Sequence, residues 1–221
     1  MSLIRLHKPP VLRRVFRGQA REGHERSVAE QLQAGTTALA DRVAIGDILT
    51  LSAFRWGREL FLYFECVAEA LGPGDLLRID GLEDWPGVAA PRDWVPMMDI
   101  FHYDRPVDLS TWCRGAPRDA HTGRVIRLRP EHVSSYVFYH FQLQEERPGA
   151  GDRYGIISLH ENLLFFYAES PPTVVKPEYR GLLQTQHTPD DWPSLMSLHF
   201  QPWDDDDGEK EWRPIEHLAS I

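Results

Sequence analysis

Residues 60–65 read LFLYFE and residues 164–169 read LFFYAE, a shared L-F-x-Y-x-E at an offset of 104. Two further pairs follow the same order. DWVPMMDIFH (93–102) matches DWPSLMSLHF (191–200) at Asp, Trp and the Met four residues beyond the Trp, with an offset of 98. An apolar segment opened by Gly-Asp precedes each L-F segment: GDILTLSAF from Gly46 and GDRYGIISL from Gly151. Three collinear matches are explained by duplication of one unit.

Each unit reads as strand, helix, strand, strand, helix, strand. In the first, strands are expected at residues 11–17, 48–54, 60–67 and 109–114, with helices at 22–40 and 93–101. In the second, 125–129 is a strand, and Pro130 and Glu131 suit the first turn of a helix that runs to 146 and stops at Arg147, Pro148 and Gly149. Residues 154–159 and 163–168, rich in β-formers, are strands joined by a hairpin turn at His160, Glu161 and Asn162. Thr188-Pro189-Asp190-Asp191 resembles a capping box that opens a helix to 199, and the last strand falls within 212–219. The turn-rich segment 115–123 divides the chain into residues 1–116, a linker at 117–123, and residues 124–221. The expected fold is therefore α+β. Two ferredoxin-like βαββαβ repeats, each an antiparallel sheet with both helices on one face, would pack sheet to sheet as a single-chain dimeric α/β barrel around an interior chamber.

Composition narrows the function. The chain has 221 residues, 42% hydrophobic and 26% charged, the profile of a soluble globular protein. A net charge of −9 argues against a nucleic-acid partner. The basic residues Arg5, Lys8, Arg13, Arg14 and Arg17 are interrupted by Pro9 and Pro10 and read as a solvated edge. No apolar run approaches the roughly 20 residues that span a bilayer. With no signal-peptide pattern at the N-terminus, no membrane partner and a cytoplasmic location are expected. Cys66 and Cys113 form no C-x-x-C pattern, so both are expected to be reduced and buried. His102, His187, His199 and His217 have no metal-ligand spacing, and Asp204 to Asp207 lack the glycine and terminal glutamate of a calcium loop. Neither a metal nor a cofactor is expected.

Residues 134–146 read SSYVFYHFQLQEE. On a helix, Val133, Tyr136, Val137, His140 and Phe141 share the inward face, so a titratable imidazole points at the core. A single inward histidine is commonly a hydrogen-bonded core residue. The wider pattern says more: P-E-H-x-x-x-Y-x-x-x-H, an R-Y-G-I segment, NLLF, a Trp four residues before a Met, and a closing I-E-H-L strand. Over most of residues 124–221 this resembles the L-rhamnose mutarotases, small dimeric α/β-barrel proteins. The resemblance implies that His140 is the catalytic histidine, that Tyr136 and Tyr154 contact sugar, and that Trp192 is the first of a tryptophan pair. It departs from the family at Tyr139, usually Arg, at Pro193, where the second tryptophan would stand, and at Phe141-Gln142, in place of Asn-Pro. No equivalent histidine falls in AEQLQ (29–33), so the first copy is expected to be a structural partner.

The expected activity is interconversion of the anomers of a free aldose, a 6-deoxyhexose such as L-rhamnose if the resemblance extends to substrate. Ring opening needs a proton delivered to the ring oxygen and another removed from the anomeric hydroxyl, and an imidazole titrating near neutrality serves either step. A tryptophan can lie against the apolar face of the sugar. Two alternatives stand beside it: a non-enzymatic module that binds a small ligand or a protein, and another barrel enzyme such as a cofactor-free monooxygenase or heme-degrading relative. Trp192, like its counterpart Trp94, also suits a packing role.

Overall fold

The computed structural model describes residues 11–67, 71–107, 109–147, 149–176, 181–205 and 210–221. Arg5, Lys8, Asp206 and Asp207 lie outside them. The first part of the chain forms β1 (Val11–Gln19), α1 (Glu25–Thr37), α2 (Ala40–Ala44), β2 (Ile48–Trp56), β3 (Glu59–Val67), β4 (Val95–Pro96) and β5 (Met98–His102). The second forms β6 (Ala120–Arg127), α3 (Val133–Glu146), β7 (Gly151–Asp152), β8 (Ile156–His160), β9 (Leu163–Ser170), β10 (Val174–Val175), α4 (Trp192–His199), β11 (Arg213–Pro214) and β12 (Glu216–Ser220). The fold is mixed α+β. One antiparallel sheet has the order β12-β2-β3-β1-β4 and the other β11-β6-β9-β8-β5, with β10-β7 as a small ribbon. No helix of the described residues is long and apolar enough to cross a membrane.

Strand alternation decides what the sheets bury. On β3, Leu60, Leu62 and Phe64 pack with Val28, Ala29 and Leu32 of α1. Phe61, Tyr63 and Glu65 face the other way, toward the second sheet. There Phe61 stacks on Phe165 of β9 at 4.8 Å and 5°, and Tyr63 on Tyr167 at 3.8 Å and 17°. The two L-F-x-Y-x-E segments thus meet residue on residue, each aromatic pair adding about 0.5–1.5 kcal/mol to its burial. Glycine permits the close approach: a Cβ on Gly123 of β6 would lie 2.7 Å from Phe54 of β2.

Beyond the rings the gap between the sheets holds buried charge. Tyr63 and Tyr167 donate hydrogen bonds to Glu65 (2.5 Å) and Glu169 (2.8 Å). Arg114 bridges both carboxylates, donating to Glu65 at 2.9 and 3.0 Å and to Glu169 at 2.5 and 2.9 Å. Arg118 Nε lies 2.9 Å from Glu169 Oε2, outside hydrogen-bond alignment.

Several expectations are corrected by this arrangement. Residues 93–101 form β4 and β5 rather than a helix, because Pro96 interrupts helical hydrogen bonding and β5 completes the edge of the second sheet against β8. Residues 109–114 form turns instead of a strand, and this lets Trp112 and Arg114 turn into the gap. The first residues of β6, from Ala120, come from the segment expected as linker, and β12 pairs with β2, so a cut at 117–123 does not separate the sheets. The rings and ion pairs fill the gap where they pack, and an open pocket of about 530 Å³ lies at its edge between Ala120 and His121 of β6 and His217 and Ser220 of β12. Arg17 is a buried ion-pair partner of Glu59 at 2.8 Å and not part of a solvated edge. Cys66 is buried, but Cys113 is exposed.

Candidate active site

Helix α3 crosses the outer face of the second sheet. A 3-10 turn at Pro130–His132 leads into it, with Pro130 at a position where the missing N–H costs nothing. Its buried face carries Tyr136 and His140, one turn apart, while Phe141 is 46% exposed because 100° of helical rotation carries it off that face. At the C-terminus of α3 the Glu146 carboxylate accepts hydrogen bonds from Thr188 N (2.7 Å), Thr188 Oγ1 (2.6 Å) and His187 N (3.0 Å). This clamp fixes the approach to α4. The helix is capped by Asp191, which accepts from Ser194 N at 3.3 Å, so the cap sits at the end of the expected capping box and Thr188 serves Glu146 instead.

The clamp and cap place Trp192 against the histidine. His140 lies 4.2 Å from the Tyr136 ring, 5.0 Å from Trp192 and 5.6 Å from Phe101, all centroid to centroid. His140 Nδ1 is 3.0 Å from the Tyr136 carbonyl oxygen. That oxygen can only accept, which assigns the proton to Nδ1 and leaves Nε2 as a lone-pair acceptor. Neither Nε2 nor the Tyr136 hydroxyl makes a hydrogen bond with a described residue. Burial pushes His140 down to about 4, against the pull of its bond to the Tyr136 carbonyl. Burial likewise pushes the Tyr136 phenol up. The imidazole is therefore neutral at pH 7 rather than poised near neutrality.

Tyr136, His140 and Trp192 line one open cavity of about 450 Å³, together with Phe166 and Ile157 of the second sheet and Trp212. That volume falls in the roughly 300–1,000 Å³ range of small-molecule sites. The cavity lies under α3 and α4, on the face of the second sheet turned away from the first. Tyr154 is not part of it. It sits in the turn before β8, packs edge-on against Trp112 at 5.3 Å, and takes the Arg114 guanidinium over its ring at 4.0 Å. Cation–π attraction and its carbonyl's hydrogen bond from Arg13 hold it with the buried charges between the sheets. Trp94, the counterpart of Trp192, is buried over Gly18 in the first sheet's core. Its role is packing, whereas Trp192 borders the cavity.

Arg124, Phe166, Lys210 and Trp212 also line the cavity and carry no motif. A period of two along 124–128 puts Arg124 on the side of the buried Ile126 and Leu128, and this was the available signal for Arg124. Among the described residues no three His, Cys, Asp or Glu side chains are grouped to hold a metal.

The depressed histidine gives a stability prediction. His140 binds its proton near 6.5 in the unfolded chain and at about 4 in the folded one, so its neutral form stabilises the fold above 6.5. That contribution is lost as pH falls from 6.5 toward 4. Urea midpoints of the protein should drop over this window, and His140→Phe should remove on the order of 1–3 kcal/mol of the dependence. An unchanged pH profile in the variant would show that the imidazole is not desolvated.

No family model and no curated protein matches the chain. Among solved structures the chain is similar to a protein of Fusobacterium nucleatum subsp. nucleatum named as a "Putative monooxygenase". The two are 9% identical, the match covers 97% of this chain and 95% of that one, and the TM-score is 0.40. A likeness of that size carries no argument about fold or activity.

Proposed function

We propose that the cavity under α3 and α4 binds a free aldose and that His140 assists exchange of its anomers, as the resemblance to the L-rhamnose mutarotases implies. The observation that carries this reading is the meeting of Tyr136, His140 and Trp192, from two helices, on one cavity. His140 Nε2 takes the proton of the anomeric hydroxyl as the bond from the anomeric carbon to the ring oxygen breaks. The ring oxygen takes a proton from the Tyr136 hydroxyl or from water. Rotation of the free aldehyde and reversal of the same transfers close the other anomer, with no net change in protons. Trp192 stacks on the apolar face of the ring. A base titrating at about 4 is unprotonated at neutral pH, so the rate should be flat above pH 5 and fall as His140 is protonated.

The stacked L-F-x-Y-x-E strands support a finer architecture: two duplicated βαββαβ-derived halves that exchange edge strands, the first serving as a structural partner for the second.

A binding module without chemistry is the second reading, favoured by the same depressed imidazole, which makes a weak base. Exchange NMR on a panel of aldoses separates the two. The mutarotase reading expects His140→Ala to slow interconversion by about 100-fold or more. Interconversion at the wild-type rate, with sugar binding retained, would leave only the binding module.

A further inference from the structure

The cavity's charge has no use in exchanging the anomers of a neutral sugar. Arg124 and Lys210 both line it, and among the described residues no Asp or Glu does. Neither cation makes a hydrogen bond or ion pair with any described residue. Arg124 is exposed at the cavity's rim and Lys210 is half-buried, whereas the arginines within the fold are paired: Arg17 with Glu59, Arg114 with Glu65 and Glu169, Arg153 with Asp104. In a chain of net charge −9, two cations beside one aromatic cavity, neither partnered among the described residues, run against the overall field. Arg124 is placed by the sheet itself, its Cα paired with Phe166 on one side and Pro214 on the other, so its position is set by strand register and not by a loop.

Resting on the reading of this cavity as a ligand site, we propose that its ligand is a ring compound carrying one carboxylate, held by Arg124 and Lys210. Under the aldose reading this is a hexuronic acid, in place of the 6-deoxyhexose that the resemblance implies. The guanidinium fork matches a carboxylate's two oxygens, and the ammonium adds a point charge. The ring lies against Trp192, and one of its hydroxyls donates to His140 Nε2. The neutral imidazole and aromatic walls take the uncharged part of the ligand, and the two cations take its charged end.

The test is calorimetric titration of the full chain with two matched pairs, D-glucuronate against D-glucose and benzoate against benzamide, with D-glucose 6-phosphate as a further arm. Each is repeated in the Arg124→Gln/Lys210→Gln variant, which changes one exposed and one half-buried side chain. The expected result is binding of glucuronate at least about tenfold tighter than glucose, an advantage that weakens with salt and shrinks to about twofold in the variant. If neither sugar binds but benzoate outbinds benzamide through the same two residues, the anionic ring ligand stands and the aldose reading falls. The proposal is overturned if acid and neutral partner bind alike, if the advantage survives in the variant, if no probe binds, or if only glucose 6-phosphate gains from the cations.

Discussion

Arg114→Met should lower the stability of the protein at pH 7 by about 3–5 kcal/mol, the usual cost of leaving a buried charge without its partner. The Glu65 and Glu169 side chains are both 0% exposed, and Arg114 reaches each through two hydrogen bonds or more. Without it Glu169 keeps Arg118 nearby, but Glu65 keeps only the Tyr63 hydroxyl as a hydrogen-bond donor. Burial raises the Glu169 carboxyl, yet the Arg114 guanidinium overcomes this and holds it below the ordinary glutamate range. A carboxylate with a depressed pKa contributes stability above its unfolded pKa and loses it as pH falls through the folded value. In Arg114→Met that contribution is gone, so the gap in urea midpoint between wild type and variant should narrow as pH falls below about 4.5. Converting two residues together, Arg114→Met with Glu65→Gln, should recover part of the loss, because Glu65 no longer carries an uncompensated charge and Glu169 keeps Arg118 at 2.9 Å. A loss under about 1 kcal/mol in the single variant would mean that the carboxylates are hydrated and the gap between the sheets is open.

Phe165→Ala should cost about 3–5 kcal/mol by the same measurement. Phe165 is fully buried, stacked on Phe61 and tilted against Phe54 at 5.6 Å, so its removal leaves a cavity walled by two strands of the opposite sheet that cannot collapse inward. Phe61→Ala should behave alike, and the double variant should fall short of additivity by about 0.5–1.5 kcal/mol because the stack is lost only once. Additive losses would separate the two rings energetically and argue against a tight sheet-to-sheet contact.

Much of this was legible in the sequence where local chemistry decides. Strand propensity located β3 and β9, and Pro130 together with the helical spacing of Tyr136 and His140 located α3. Trp192 could be attached to His140 only through the resemblance, since nothing in the spacing of 52 residues says that α4 packs against α3. The failures share a cause. Residues 95–101, VPMMDIF, form a short apolar run in which helical and strand periods both fit, and the deciding factor was an edge of the second sheet left open for β5. Tyr154 belonged to the sugar site by resemblance alone, and its position is fixed by Arg114, whose placement depends on a turn at 109–114. His140's shift to about 4 is likewise a property of the assembled burial, which no spacing encodes. Arg124 and Lys210 stood out only once the cavity's lining was known, because no spacing brings residues 124 and 210 together.

The central claim is that small molecules enter beneath α3 and α4 and not between the sheets. Indole N–H resonances report on both places, because Trp192 and Trp212 line the cavity while Trp112 is buried beside Tyr154. Titration with D-glucuronate, followed by ¹H–¹⁵N NMR with the indoles assigned by substitution, should shift Trp192 and Trp212 and leave Trp112 in place. Movement of Trp112 with Trp192 unmoved would contradict the account.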